Sequence, residues 1–242
     1  MTNSFQFNHG TTLRASTIAV MMTAALAAAG VIPAINGHTQ HFTTTSAEGV
    51  PQSPLPLACA DSNTIVAGAT ELERHLACAG AFEAIRQLAA CNIASAKPIH
   101  IRMAPSVRSP SGNAVFGTFD AGREVTLVAR LSAIAPMVRD TPYEHLQGRP
   151  FSQSLIVHEV VHGIMHQRYT RQPATRAAME YPAYALQIAS LPAPVRDTFL
   201  AIASDPAEHR VHPFNDVVLG FDPYFFAAQA YLGNPSLARL LN

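Results

Sequence analysis

The chain has 242 residues, 48% hydrophobic and 13% charged, and its 16 basic and 16 acidic side chains give a formal net charge of zero. This length is enough for one substantial hydrophobic core. The balanced charge, with no basic block, excludes the electrostatic footprint of a nucleic-acid-binding protein.

Residues 1–37 have the composition of a signal peptide. Arg14 is the only charged side chain ahead of the alanine-rich apolar segment 16–32, which is short for a membrane span of about 20 apolar residues. We expect cleavage, a periplasmic or secreted protein, and no stable membrane association; an uncleaved anchor is the alternative. Residues 38–57 are polar and proline-bearing, and predict a flexible lead-in to a single domain at 58–242.

Cys59, Cys78 and Cys91 are the three cysteines of the chain. In an oxidising compartment one disulfide is expected and one cysteine is left over. The spacing allows a Cys59–Cys78 or a Cys78–Cys91 bridge, and buried free thiols are the alternative.

The apolar periodicity predicts an α+β fold. Residues 69–90 carry apolar side chains at helical spacing, with a break at Gly80. Later in the chain, the pattern predicts a short strand at residues 98–103 and a hairpin at 114–128. It then predicts a mixed helix and loop segment at 131–149 and helices within 191–232.

The segment His158-Glu159-Val160-Val161-His162 is an H-E-x-x-H motif inside the apolar, helix-compatible run 154–165. Residues four apart share one face of a helix, so both imidazoles can bind one metal ion. Glu159 lies about 100° round the helix from His158, where it can reach a water held by that metal. A surface helix with two accidental histidines is the alternative, but an apolar helix leaves these side chains in need of a buried partner.

A third ligand has to come from outside the motif. The metzincin pattern requires a glycine and a histidine where the chain has Met165 and Arg168, so that pattern is absent. His166 lies about 12 Å along the helix from His158, too far to share an ion with bonds near 2 Å. Glu180 opens a second helix-compatible stretch, 180–188, after a predicted turn at residues 170–175; a solvated helix charge is the alternative for Glu180.

With these residues the chain resembles the gluzincin group of metallopeptidases, the class that includes thermolysin. The resemblance covers about 30 residues, 154–188. It implies that His158, His162 and Glu180 bind Zn²⁺, and that Glu159 is the general base for a zinc-held water that attacks a peptide bond. A small sheet ahead of the motif helix is the layout of zincin-like catalytic domains, in which a sheet edge borders the active-site cleft.

The second thermolysin motif, in its Asn-Glu-x-x-x-Asp form, is absent. Met179 and Tyr184 stand at its Asn and Asp positions, so the carboxylate that usually supports a ligand is replaced or missing. The resemblance also calls for a neutral or cationic donor to the oxyanion. The candidates are Tyr184, His209, His212 and Tyr224, with His212, in a loop-like stretch before Pro213, the first choice.

Three functions follow from these patterns. The leading one is an exported zinc-dependent metallopeptidase that acts on peptide or protein substrates. The second is a non-catalytic zincin-like domain that binds zinc together with peptide or cell-wall components. The intact Glu159 favours the first, because a pure binding domain needs no general base. The third is an exported helical protein in which the motif is accidental.

Overall fold

The structure is a computed structural model that describes residues 55–60, 62–109, 111–146, 148–169, 175–203 and 215–233. The predicted signal peptide, most of the predicted lead-in, most of the predicted turn at 170–175, and both His209 and His212 lie outside these ranges. Among the described helices, none combines the length and the hydropathy that a membrane span requires.

The fold is α+β, with a small mixed sheet and mostly helical content. The strands are β1 (Leu57–Ala58), β2 (Thr64–Ala67), β3 (Ile99–Ala104), β4 (Val107–Arg108), β5 (Ala114–Val115), β6 (Gly117–Asp120) and β7 (Val125–Ala129). Five of them form one sheet in the order β1-β2-β3-β7-β6. The three inner strands run parallel to one another, and β1 and β6 are antiparallel edge strands. Strands β4 and β5 form a separate two-stranded ribbon.

The helices are α1 (Glu71–Ala90), α2 (Leu131–Val138), α3 (Arg149–Arg168), α4 (Arg176–Ser190), α5 (Ala193–Ala203), α6 (Asp216–Phe221) and α7 (Pro223–Leu232), with a 3₁₀ turn at Pro142–Leu146. The predicted helix at 69–90, the strand at 98–103, the hairpin (now β6–β7) and the C-terminal helices are confirmed. The hairpin holds Gly117 opposite Val128.

Helix α1 runs unbroken through Gly80, so the predicted break there is wrong. A Cβ at this position would lie 2.8 Å from Cγ2 of Ile156 and 2.9 Å from the carbonyl oxygen of Gln153. Gly80 is therefore a point of close approach between α1 and α3, and the contact between helices explains a glycine that intrinsic helix propensity disfavours.

One carboxylate satisfies the N-termini of two helices. Thr70 caps α1, and Glu73 accepts hydrogen bonds from the backbone N–H and the hydroxyl of Thr70, forming a capping box. The other oxygen of Glu73 accepts a hydrogen bond from the N–H of Leu131, the first residue of α2 (3.1 Å). Arg130, at the N-cap of α2, makes no capping bond with its own side chain, so Glu73 serves that helix instead.

The Cys59–Cys78 disulfide joins the end of β1 to α1, with the Cα atoms 5.5 Å apart. Of the two predicted pairings, this is the one present. Cys91 is a free thiol and is exposed, so the alternative of three buried free thiols is wrong.

Helix α3 lies between the sheet and the neighbouring helices α1 and α4. Val157, Val160, Val161 and Ile164 are fully buried, which confirms that the helix is apolar nearly all round. The H-E-x-x-H motif is consequently held on a buried helix that packs against the sheet and two other helices.

Candidate metal centre

Three side chains from α3 and α4 converge on one point. Oε2 of Glu180 lies 3.2 Å from Nε2 of His158 and 3.4 Å from Nε2 of His162. The two Nε2 atoms are 3.1 Å apart. In the described part of the chain, this is the one group of three or more His, Cys, Asp or Glu side chains whose ligand atoms lie this close together. The two histidines of the motif and the glutamate predicted from the following helix therefore lie close together.

The distances among these atoms fit a tetrahedral metal site. Ligand atoms bound at about 2.0–2.1 Å in tetrahedral geometry are separated by about 3.3 Å. The observed triangle has edges of 3.1, 3.2 and 3.4 Å, so the three atoms are spaced nearly as the ligands of one tetrahedral ion would be. Two imidazole nitrogens and one carboxylate oxygen form a donor set that suits zinc.

The local sequence explains how the two helices bring these groups together. On α3, the four-residue spacing places His158 and His162 one turn apart on one face. On α4, Thr175 caps the helix by accepting from the N–H of Ala178. Asp216 of α6 accepts from the N–H of Ala177 (2.6 Å) and ties down the same terminus. Glu180 follows one turn later and points at the histidines.

The donors are shielded from water and interact strongly. The relative exposures of the His158, His162 and Glu180 side chains are 10%, 16% and 15%. Burial would raise the pKa of Glu180, but its contacts with His158 and His162 outweigh this and hold the pKa far below its usual range. Burial would lower the pKa of His158, but the Glu180 contact and the charge of Glu159 raise it overall.

Arg176 lies at the edge of this group. Its Nε is 3.7 Å from Oε1 of Glu180, and its side chain is 72% exposed. It approaches the carboxylate oxygen that faces away from the histidines, and a contact this exposed contributes little to stability.

Glu159 is buried next to the donor group without belonging to it. Its side chain lies against Gly117 of β6: Cγ, Cδ and Oε1 all come within 2.7 Å of where a Cβ on that glycine would be. Burial raises the pKa of Glu159, while the nearby histidines oppose the shift. The glutamate of the motif is thus held between the site and an edge strand of the sheet.

Two side chains of α4 surround the His158 ring. Tyr184 packs against it edge to face, with ring centroids 4.6 Å apart and an interplanar angle of 70°. Gln187, 2% exposed, makes a polar interaction that raises the pKa of His158, although Nδ1 of that histidine has no hydrogen bond of standard geometry in the described residues. The described neighbours of the His158 ring on α4 are therefore an aromatic ring and a buried amide.

Of the two tyrosines considered as oxyanion donors, Tyr184 lies next to the donor group and Tyr224 packs elsewhere. Burial, with the charges of Glu180 and Glu159, raises the pKa of Tyr184, so its hydroxyl stays protonated beside the donor group. Tyr224 instead packs against Tyr143, with ring centroids 4.6 Å apart, and burial raises the pKa of its hydroxyl. His166 contacts the ring of Phe119 and is not part of the donor group, as its distance along the helix predicted.

Sequence reasoning did not identify Gln187, Gly117 or Arg176. A signal existed for Gln187, because it stands seven residues after Glu180 and shares its helix face. Arg176 likewise stands four residues before Glu180. No sequence signal marks Gly117, since its role depends on how β6 lies against α3.

Residues 64–234 match the model of a protein family described as "Family of unknown function (DUF6639)". The matched region includes all of the donor group, Glu159 and Gly117. No curated protein and no solved structure matches the chain significantly.

Proposed function

The chain belongs to this family of unknown function, DUF6639, and we propose that it is an exported zinc-dependent metallopeptidase with a zincin-like catalytic domain. The observation that carries the proposal is the donor triangle of His158, His162 and Glu180. Glu159 is buried next to these three side chains but is not one of the donors. A purely structural zinc site has four protein ligands, whereas a catalytic site has three and keeps one position open.

The roles of the residues follow from this arrangement. His158, His162 and Glu180 would hold the ion, and zinc, when bound, supplies a Lewis acid that polarises the scissile carbonyl and lowers the pKa of water. Glu159 would accept the proton of the attacking water and return it to the leaving nitrogen. The single carboxylate among the ligands leaves a charge of +1 at the loaded site, which the Glu159 carboxylate balances.

The position of the sheet supports a peptide as the substrate. Strand β6 is an edge strand of the five-stranded sheet, and its Gly117 contacts the proposed general base. An extended peptide that pairs with such an edge would bring its backbone close to Glu159. The gluzincin resemblance likewise implies a sheet edge beside the active-site cleft.

The cysteines support export. The Cys59–Cys78 disulfide is the kind of bond that persists in periplasmic or extracellular proteins and is rare in the cytosol of most organisms. Together with the signal-like composition of residues 1–37, it favours a protein that works outside the cytoplasm.

Glu159→Gln separates metal binding from chemistry. The amide keeps the size of the side chain but cannot accept a proton, so zinc content should stay near one per chain while cleavage falls by about 10²–10⁴-fold. His162→Ala should lose the metal itself. The measurements are elemental analysis of untagged protein and cleavage of an unstructured protein substrate with and without a chelator.

Glu83→Gln is the matched control. Glu83 pairs with Arg86 on α1, far from the motif in sequence, and the variant should cleave substrate like the wild type. Absence of zinc after zinc-supplemented expression would show that the motif is accidental. If zinc is present but Glu159→Gln matches the wild type, including the case in which neither cleaves, the peptidase mechanism is wrong and the zinc-binding, non-catalytic domain replaces it.

A further inference from the structure

Strand β6 and helix α3 contact each other at two successive positions with nearly equal spacing. Gly117 and Phe119 are two residues apart and share one face of the strand, which advances about 6.6 Å. They contact Glu159 and Gly163, which are four residues apart and separated by about 6.0 Å along the helix. Because these two distances are nearly equal, Gly117 faces Glu159 and Phe119 faces Gly163.

At both contacts a glycine faces a large side chain, but the two fits differ in tightness. A Cβ on Gly163 would lie 3.4 Å and 3.5 Å from the ring of Phe119, which is ordinary van der Waals contact. A Cβ on Gly117 would lie 2.5 Å from Cγ, 2.7 Å from Cδ and 2.7 Å from Oε1 of Glu159, closer than real Cβ atoms come. Alanine therefore fits at 163 and does not fit at 117.

At the tight contact, neither the backbone of α3 nor that of β6 can easily move away. Cγ of Glu159 is only two bonds from the backbone, and the neighbouring Val160 and Val161 are fully buried. On the other side, Gly117 is paired with Val128, and the preceding carbonyl of Phe116 accepts a hydrogen bond from Ala129 (2.7 Å). Gly117 is not among the glycines with a positive φ, so space, and not backbone conformation, requires glycine there.

We infer that Gly117 is a positioning residue for Glu159: its missing side chain leaves the space in which the carboxylate lies beside the donor group. Any larger residue pushes the Glu159 side chain into another rotamer and moves the carboxylate away from its place. The catalytic consequence rests on the proposed function, whereas the contact itself does not.

A double-mutant cycle on stability tests the contact without any assay of activity. Gly117→Ala should lower the Tm by about 2–10 °C, because an extra methyl overpacks the interface. Glu159→Ala removes Cγ, Cδ and Oε1, so adding Gly117→Ala to that variant should cost little further. Equal losses of Tm in both backgrounds overturn the inference, as does no loss in either.

Gly163→Ala is the matched control, since it adds a methyl to the same helix–strand interface one turn further along. It should keep the wild-type Tm or raise it, because alanine favours a helix more than glycine does. If Gly117→Ala fails to fold, recovery of the fold in the double variant supports the inference. Failure of both variants to fold overturns it, because Gly117 would then be required by something other than Glu159.

The loaded enzyme supplies the second readout. Gly117→Ala should bind zinc like the wild type and lose about 10²-fold in kcat, the scale of a 1 Å misplacement, while its KM changes little. Gly163→Ala should keep the wild-type kcat and KM. Normal cleavage by Gly117→Ala overturns the positioning role. If the cycle shows the coupling but the wild type cleaves no peptide, the proposed function fails while the Gly117–Glu159 contact stands.

Discussion

The Cys59–Cys78 bridge gives a stability prediction whose size follows from the sequence. The two residues are 19 positions apart, and closing a loop of this length removes enough entropy from the unfolded chain to stabilise the fold by about 3 kcal/mol. For a domain of this size, that free energy corresponds to about 6–12 °C in Tm. We therefore expect Cys59→Ala/Cys78→Ala to melt about 6–12 °C below its parent.

The assay is thermal unfolding followed by circular dichroism, in a Cys91→Ser background that prevents thiol exchange. Reductant should lower the Tm of the bridged protein to that of the double variant and should leave the double variant unchanged. A difference below about 2 °C would refute the reasoning, because it would mean that the unfolded chain gains little freedom when the bridge is lost.

The same variants should retain zinc and cleave substrate well below their Tm. Cys59 follows β1, at the opposite edge of the sheet from β6, and four strand spacings of about 4.8 Å separate the two edges. Loss of turnover in folded, zinc-loaded protein without cysteines would contradict the view that the thiols take no part in the chemistry.

Two further predictions concern residues around the site. Gln187→Leu should weaken zinc binding about 10–100-fold, because it removes the polar group beside His158 that can orient the ring; competition with a chromophoric chelator measures this, and unchanged affinity would show that the amide is dispensable. Phe151→Ala should destabilise the fold by about 3–5 kcal/mol, since this fully buried ring packs against Tyr143 and Phe116; a loss under 1 kcal/mol in denaturant titration would contradict the packing.

The sequence predicted best the features that depend on spacing within one helix. His158 and His162 share a face because a helix has 3.6 residues per turn, and no tertiary information is needed for that. The approach of Glu180 required an apolar second helix and a connection short enough to fold back, and both are visible in the chain.

Features that depend on contacts between elements were missed or wrong. Gly80 looked like a helix break because intrinsic propensity disfavours glycine, but close packing against Ile156 outweighs that preference. Gly117 carried no signal, because its importance comes from the register of β6 against α3. Strands such as β1 and β5 have two residues each, too few to show an alternating pattern.

The double role of Glu73 bears on how the molecule unfolds. Its carboxylate binds the N-terminus of its own helix, α1, and that of α2, whose first residue, Leu131, lies 58 positions after Glu73. If α1 detaches, it carries Glu73 away and the N–H of Leu131 at the start of α2 loses its acceptor, and that loss is unfavourable. Loss of α1 therefore weakens the start of α2 as well, which favours a single cooperative transition over stepwise loss of the N-terminal helix.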